Sequence, residues 1–245
     1  MAITSGNPVL RRAGFDQVQA DGATMTLGGT LGKTFLLLAI AGAGMLYAWA
    51  GLPGLGLTTD VVYPLLIGSF VVGVVLLIFT SMRPEYASVT APVYAAMQGV
   101  VMGIVTMILN ARYPGLPQQA ALITFAVLGV MLVAYRTGVI RATEQFRSIV
   151  VSCTGAVFVF YIIAFALSFF GIRIPFLHEG GLIGIGFSLF VVGLAALNLI
   201  LDFDLIEQGI GSAPAELEWF AAFGLVVTLI WLYFEILRLL QKLRR

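Results

Sequence analysis

The sequence predicts an all-α membrane protein with seven transmembrane helices, short loops and a cytoplasmic amino terminus. Seven apolar stretches are each long enough to cross a hydrocarbon core, which needs about 20 helical residues. With 60% hydrophobic and 10% charged residues, the 245-residue chain has too little polar surface for a soluble globule. The apolar runs are continuous rather than alternating, which excludes a transmembrane β-barrel.

The predicted spans follow one another at short intervals, and the charged residues lie mostly between them. In chain order they are Lys33–Gly51, Val61–Thr80, Val89–Asn110, Gln118–Tyr135, Ser148–Gly171, Gly181–Leu201 and Leu217–Leu240. Pro92 marks the entry to the third helix or a kink near its start. We expect the sixth helix to continue to Gly209, a good helix stop, and the seventh to start near Pro214.

Basic residues indicate the orientation by the positive-inside rule. Those on the amino-terminal side of the membrane are Arg11, Arg12, Lys33, Arg83, Arg136, Arg141 and Arg147. Only Arg112 and Arg173 fall in the loops of the other face, so the amino terminus is predicted to be cytoplasmic. Seven crossings place the basic tail outside, and the alternative is that the sixth or seventh segment does not cross fully. The length of the last segment favours seven crossings.

The domain organisation is simple. Residues 1–32 form a polar cytoplasmic tail without the pattern of a removable signal peptide, and residues 33–245 form one transmembrane domain. Cys153 is the single cysteine, which excludes an intramolecular disulfide, and we expect it to be buried among apolar groups.

Missing residue types argue against an enzyme. Lys33 and Lys242 are the only lysines and lie at span ends, so no retinal Schiff base can form. His178 is the only histidine, in a loop, which leaves no set of zinc ligands and no base for a nucleophile at Ser188. Small-residue helix packing explains Ser188 and its neighbouring glycines better. We expect no cofactor and no nucleic-acid partner.

Polar groups concentrate where the sixth helix ends and the seventh begins. Asp202 lies about two turns inside the expected helix end, with Asn198 one turn away on the same face. The acids in this region are Asp202, Asp204, Glu207, Glu216 and Glu218, with no basic residue near them in sequence. Such a cluster binds cations or shares protons, and an aspartate facing a bundle interior is a functional candidate. The alternative is that these acids sit at the aqueous boundary.

Other polar residues fall within the spans. Gln98 is expected to hydrogen-bond to another helix. Glu235 can pair with Arg238 three residues on, or line an ion path. Thr228 can bond to its own helix backbone or line the same path.

Four segments in order resemble the Bax inhibitor-1 family, in particular its bacterial branch. They are Asn7–Ala13, Ala91–Gly103, Asn198–Gly209 with its Leu-Asp-Phe-Asp core, and Glu218–Gly224 leading to Ile236–Leu240. The resemblance runs through nearly the whole chain.

This resemblance implies six helices around a central seventh, and a pH-sensitive calcium leak. In relatives, an aspartate late in the sixth helix and another in the seventh form a proton-sharing latch. Asp202 matches the first, and calcium is implied there. Thr228, or neighbouring Val227, stands at the second position, so Asp204 or Glu218 is the alternative partner of Asp202.

Two functions therefore remain open. The first is a calcium or other cation leak gated by protons, with Asp202, Asp204, Asn198, Thr228 and Glu218 as the ion path or pH latch. The second is a non-conducting regulator that binds a membrane protease or a stress-response partner. Both place the protein in a lipid bilayer, the plasma membrane or the inner membrane of a bacterium.

Overall fold

The fold consists of long α-helices. A computed structural model describes residues 23–52, 59–170 and 181–244, apart from the side chains of residues 59, 60 and 169. Within these ranges the helices are α1 Leu27–Leu46, α2 Thr59–Met82, α3 Ala87–Arg112, α4 Leu116–Arg136, α5 Glu144–Phe169, α6 Leu182–Gly209 and α7 Leu217–Leu243. A π-helical turn, Tyr47–Gly51, continues α1. All seven are long and apolar enough to cross a membrane, which confirms the predicted spans.

Helix ends follow local capping chemistry. Helix α1 begins at Leu27, earlier than the predicted Lys33, because the Thr26 side chain accepts a hydrogen bond from the Gly29 amide. Helix α6 ends at Gly209 as expected, and Gly211 follows with a positive φ of 71°. Pro92 lies inside α3, near its start, as one of the two predicted positions had it. The basic residues Arg11, Arg12, Arg173 and Arg245, together with His178 and Gly171, lie outside the described residues.

The chain divides into two compact units. Of the described residues, the first unit comprises 23–52, 59–107 and 205–226. Its helices α1 and α3 approach closely: a Cβ atom on Gly99 would lie 2.2 Å from the Ala41 carbonyl oxygen. This is small-residue packing of the kind membrane helices use. The Gln98 side chain reaches α2, where its Nε2 lies 2.6 Å from where a Cβ on Gly73 would be.

Of the described residues, the second unit comprises 108–170, 181–204 and 227–244. Its apolar core is a cluster of Val150, Val157, Val191 and Leu194, with Trp231 packed against it. Cys153 is half-buried and packs against the same cluster.

The helices differ in how much of their apolar surface is covered. In the most apolar 18-residue window of α7, 72% of the residues are buried, against 17–44% in the other six spans. Exposed apolar side chains such as Phe35, Ile67, Val130 and Phe165 lie on the other helices. An apolar exterior of this extent requires lipid.

Candidate functional site

Asp202 is the most unusual carboxylate of the described residues. Its Oδ2 atom is buried and has no hydrogen-bond partner among them. Thr228 of α7 lies within side-chain hydrogen-bonding range of the same carboxylate. The second unit thus brings together two of the predicted site residues, an acid from α6 and a hydroxyl from α7.

Asn198 lies one turn before Asp202 on α6. Its Nδ2 donates to the Thr154 hydroxyl of α5 at 2.8 Å and to the Leu194 carbonyl at 2.9 Å. The amide is therefore oriented by α5 and by its own helix.

Asp204 lies in a different environment. Its Oδ2 accepts a hydrogen bond from the Arg147 guanidinium at the start of α5, and Tyr135 of α4 donates to its Oδ1 at 3.5 Å. No basic residue lies near these acids along the sequence, but Arg147 lies beside Asp204 in the fold. The positive charge comes from Arg147, which is 57 residues from Asp204 in the sequence.

Glu218 belongs to the first unit, in the first turn of α7. It is 5% exposed and forms a salt bridge with Lys33 of α1. The Thr26 amide donates to its Oε1 at 2.7 Å and the Thr26 hydroxyl at 2.9 Å. Glu218 therefore binds the start of α1, whereas Glu207 and Glu216 are exposed.

A short segment before α1 is held in place by main-chain bonds. This segment, residues 23–26, is called the strap. The Met25 amide donates to the Ala213 carbonyl at 2.8 Å, Gly211 to the Met25 carbonyl at 3.0 Å, and Ala215 to the Ala23 carbonyl at 2.9 Å. Met25 is 2% exposed. The strap thus runs antiparallel to the α6–α7 turn, inside what the sequence indicated was a polar tail.

A buried polar network surrounds Glu235 in the second unit. Its carboxylate is bound by Arg238 Nη1 at 3.0 Å, by the Tyr161 hydroxyl at 3.1 and 3.2 Å, and by Trp231 Nε1 at 3.3 Å. Arg238 also donates to the Tyr161 hydroxyl. The predicted pairing of Glu235 with Arg238 is confirmed. Sequence reasoning missed Tyr161 because it lies on α5.

Lys242 is a second group that the sequence did not single out. It is 4% exposed, and its Nζ donates to the Gly184 carbonyl and to the Ser188 hydroxyl, each at 2.9 Å. A lysine at a span end suggests solvation in water. The seven-residue spacing from Glu235 was the available signal that it faces inward.

The described residues hold no cluster of metal ligands: no group of three or more histidine, cysteine, aspartate or glutamate side chains among them could hold a metal ion. Asp202 therefore belongs to no such group within the described part of the chain.

Comparisons with known proteins gave a family match. Neither the curated proteins nor the solved structures gave a match to this chain. The protein family described as Bax inhibitor 1 like matches residues 7–245. With seven helices that fit membrane spans and a match over nearly its whole length, the chain belongs to the Bax inhibitor 1-like family of multi-pass integral membrane proteins.

Proposed function

We propose that this protein is a cation leak, with calcium as the first cation to test, whose conduction depends on the protonation of Asp202. One observation carries the proposal: the Oδ2 atom of Asp202 is buried without a hydrogen-bond partner among the described residues, in a helix that fits a membrane span. A carboxylate in that position is costly to keep, and such residues mark ion and proton pathways.

The surroundings of Asp202 support this role. Thr228 offers a neutral oxygen beside the acid, and Asn198 presents an amide one turn away. Asp204 is bound to Arg147, so its charge is balanced and the aqueous end of α6 is held in position. Glu218 contributes by fixing the start of α7 rather than by meeting the ion. In this proposal α7 is the central helix, as its high burial supports, and the amino terminus is cytoplasmic.

Protonation supplies the switch. A charged Asp202 attracts a cation, and a protonated one presents a neutral hydroxyl that does not. Conduction therefore changes with pH without a large movement of the helices.

The second candidate function is a non-conducting regulator that binds a membrane protease or a stress-response partner. The specific observation in its favour is that the α7 neighbour of Asp202 is Thr228, a hydroxyl, where the family resemblance implies an aspartate. A single carboxylate has no second acid with which to share a proton.

The test is calcium entry into liposomes that contain the purified protein, measured between about pH 6 and pH 8. We expect Asp202→Asn to remove the pH dependence of entry, because the amide cannot ionise. Glu207→Gln, which neutralises an exposed acid of the same helix, is the matched control and should behave as the native chain. Entry no greater than in empty liposomes at any pH would reject the leak and favour the regulator.

A further inference from the structure

Buried polar residues lie at regular intervals along the α7 part of the second unit. Thr228, Glu235 and Lys242 are seven residues apart and are 8%, 2% and 4% exposed. Seven residues are two helical turns, so the three side chains lie on one face of α7. A polar stripe on the most buried apolar helix carries a high desolvation cost.

Helix α6 carries matching groups. Asp202 lies beside Thr228, and Ser188 binds Lys242. Ser188 lies fourteen residues before Asp202 on α6, and Lys242 lies fourteen residues after Thr228 on α7. Equal spacings in opposite directions are expected for two antiparallel helices that keep a constant register. We call this row of facing groups the α6–α7 seam. It begins at Asp202 and ends at Lys242.

The last position of the seam has the ligands of a cation site. The Gly184 carbonyl and the Ser188 hydroxyl are neutral oxygens of the type that replaces water around a permeating cation. Here both oxygens bind the Lys242 ammonium at 2.9 Å. Because this ammonium is part of the Lys242 side chain, it cannot leave the site as a permeating ion would.

Glu235, at the middle position of the seam, has its negative charge balanced by Arg238 and so does not offset the positive charge of Lys242. The Glu235 carboxylate is in a salt bridge with Arg238 and also binds Tyr161 and Trp231. It therefore leaves little attraction for an arriving cation.

We propose that Lys242 is a tethered cation that restricts the passage of mobile cations at the far end of the α6–α7 seam. It occupies the oxygen ligands that an ion would need, and its charge repels an approaching divalent ion. Lys242 thus limits cation flux, a role distinct from the proton switch at Asp202. This inference rests on the proposed cation leak for its route.

The test compares Lys242→Met with Lys242→Arg in the liposome calcium assay. Lys242→Met keeps a long apolar stem and removes the charge, and we expect calcium entry to rise roughly tenfold or more. Lys242→Arg keeps the charge and should match the native chain. Arg244→Gln removes a charge from an exposed position two residues on and should also leave entry unchanged.

A second variant guards against misfolding of Lys242→Met. Lys242→Gln removes the charge and keeps a polar side chain at this position, and it should raise entry in the same direction. Folding of each variant is checked by its thermal unfolding in detergent. Native rates of entry in both Lys242→Met and Lys242→Gln, with both folded, would overturn the proposal.

The outcomes separate this inference from the proposed function. Entry through Lys242→Met but not through the native chain would support the tethered cation and reject a native leak. A native leak that depends on Asp202 but ignores Lys242 would support the leak and reject the tethered cation.

Discussion

Asp202 and Asp204 show how two acids of the same helix, two residues apart, acquire opposite environments. Asp204 meets Arg147 and Tyr135, whereas one oxygen of Asp202 is buried without a hydrogen-bond partner in the described part of the chain. The sequence indicated Asp202 as a candidate site residue from its depth in the span. It could not distinguish the two acids by partner, because Arg147 arrives from another helix.

The ion pair of Asp204 gives a stability prediction. Arg147→Met should lower the free energy of unfolding by roughly 1–3 kcal/mol, because the mostly buried carboxylate loses a charged donor. The double variant Arg147→Met with Asp204→Asn should recover part of this loss, because no unpaired charge remains. Thermal unfolding in detergent provides the measurement. Equal stability of the native and Arg147→Met proteins would show that the pair contributes nothing.

At the level of elements, the strap is the feature that joins the start of α1 to the α6–α7 turn. Three main-chain hydrogen bonds hold the strap against this turn. Glu218 binds Thr26, the last residue of the strap, and Lys33 on α1. No periodicity marks residues 23–26, and the contacts of Glu218 with α1 span 185 residues or more. The hydropathy of each span was local information and predicted the helices well. The strap depends on distant parts of the chain and was therefore missed.

The strap can be tested by cross-linking. Thr24 and Pro214 face each other in an antiparallel bridge, so cysteines at these two positions should form a disulfide under mild oxidation. The experiment uses a Cys153→Ala background. Adding Glu218→Gln should slow the reaction, because the neutral amide holds Thr26 and Lys33 less firmly. Either cysteine alone serves as the control, and equal rates with and without Glu218→Gln would contradict the role of Glu218.

For the whole molecule, the main prediction concerns topology. Seven spans place the two termini on opposite sides of the membrane, and the positive-inside rule puts the amino terminus in the cytoplasm. Reporter fusions that are active on only one side should therefore report a cytoplasmic amino terminus and a carboxyl terminus across the membrane. Reporters that place both termini on one side would mean that one of the seven helices does not cross.

The sequence predicted those features of the whole molecule that follow from its need to span a lipid bilayer. Apolar length determined the number and positions of the helices, and the end of α6 at Gly209 followed from its glycine. The inward direction of Lys242 did not follow, because a span-end lysine can reach water by extending its side chain. Its two oxygen partners on α6 became evident only from the register of α6 against α7.

The strap also has a consequence for the divergence of related sequences. Its bonds are made by amide and carbonyl groups, which every residue except proline supplies in full. Side chains at Ala23 and Thr24 can therefore change widely while the geometry is kept, whereas Met25, wedged against Gly209, cannot. Residue-by-residue conservation would underestimate this contact, and the absence of proline at positions 25, 211 and 215, whose amides donate the three bonds, would be its clearest evolutionary trace.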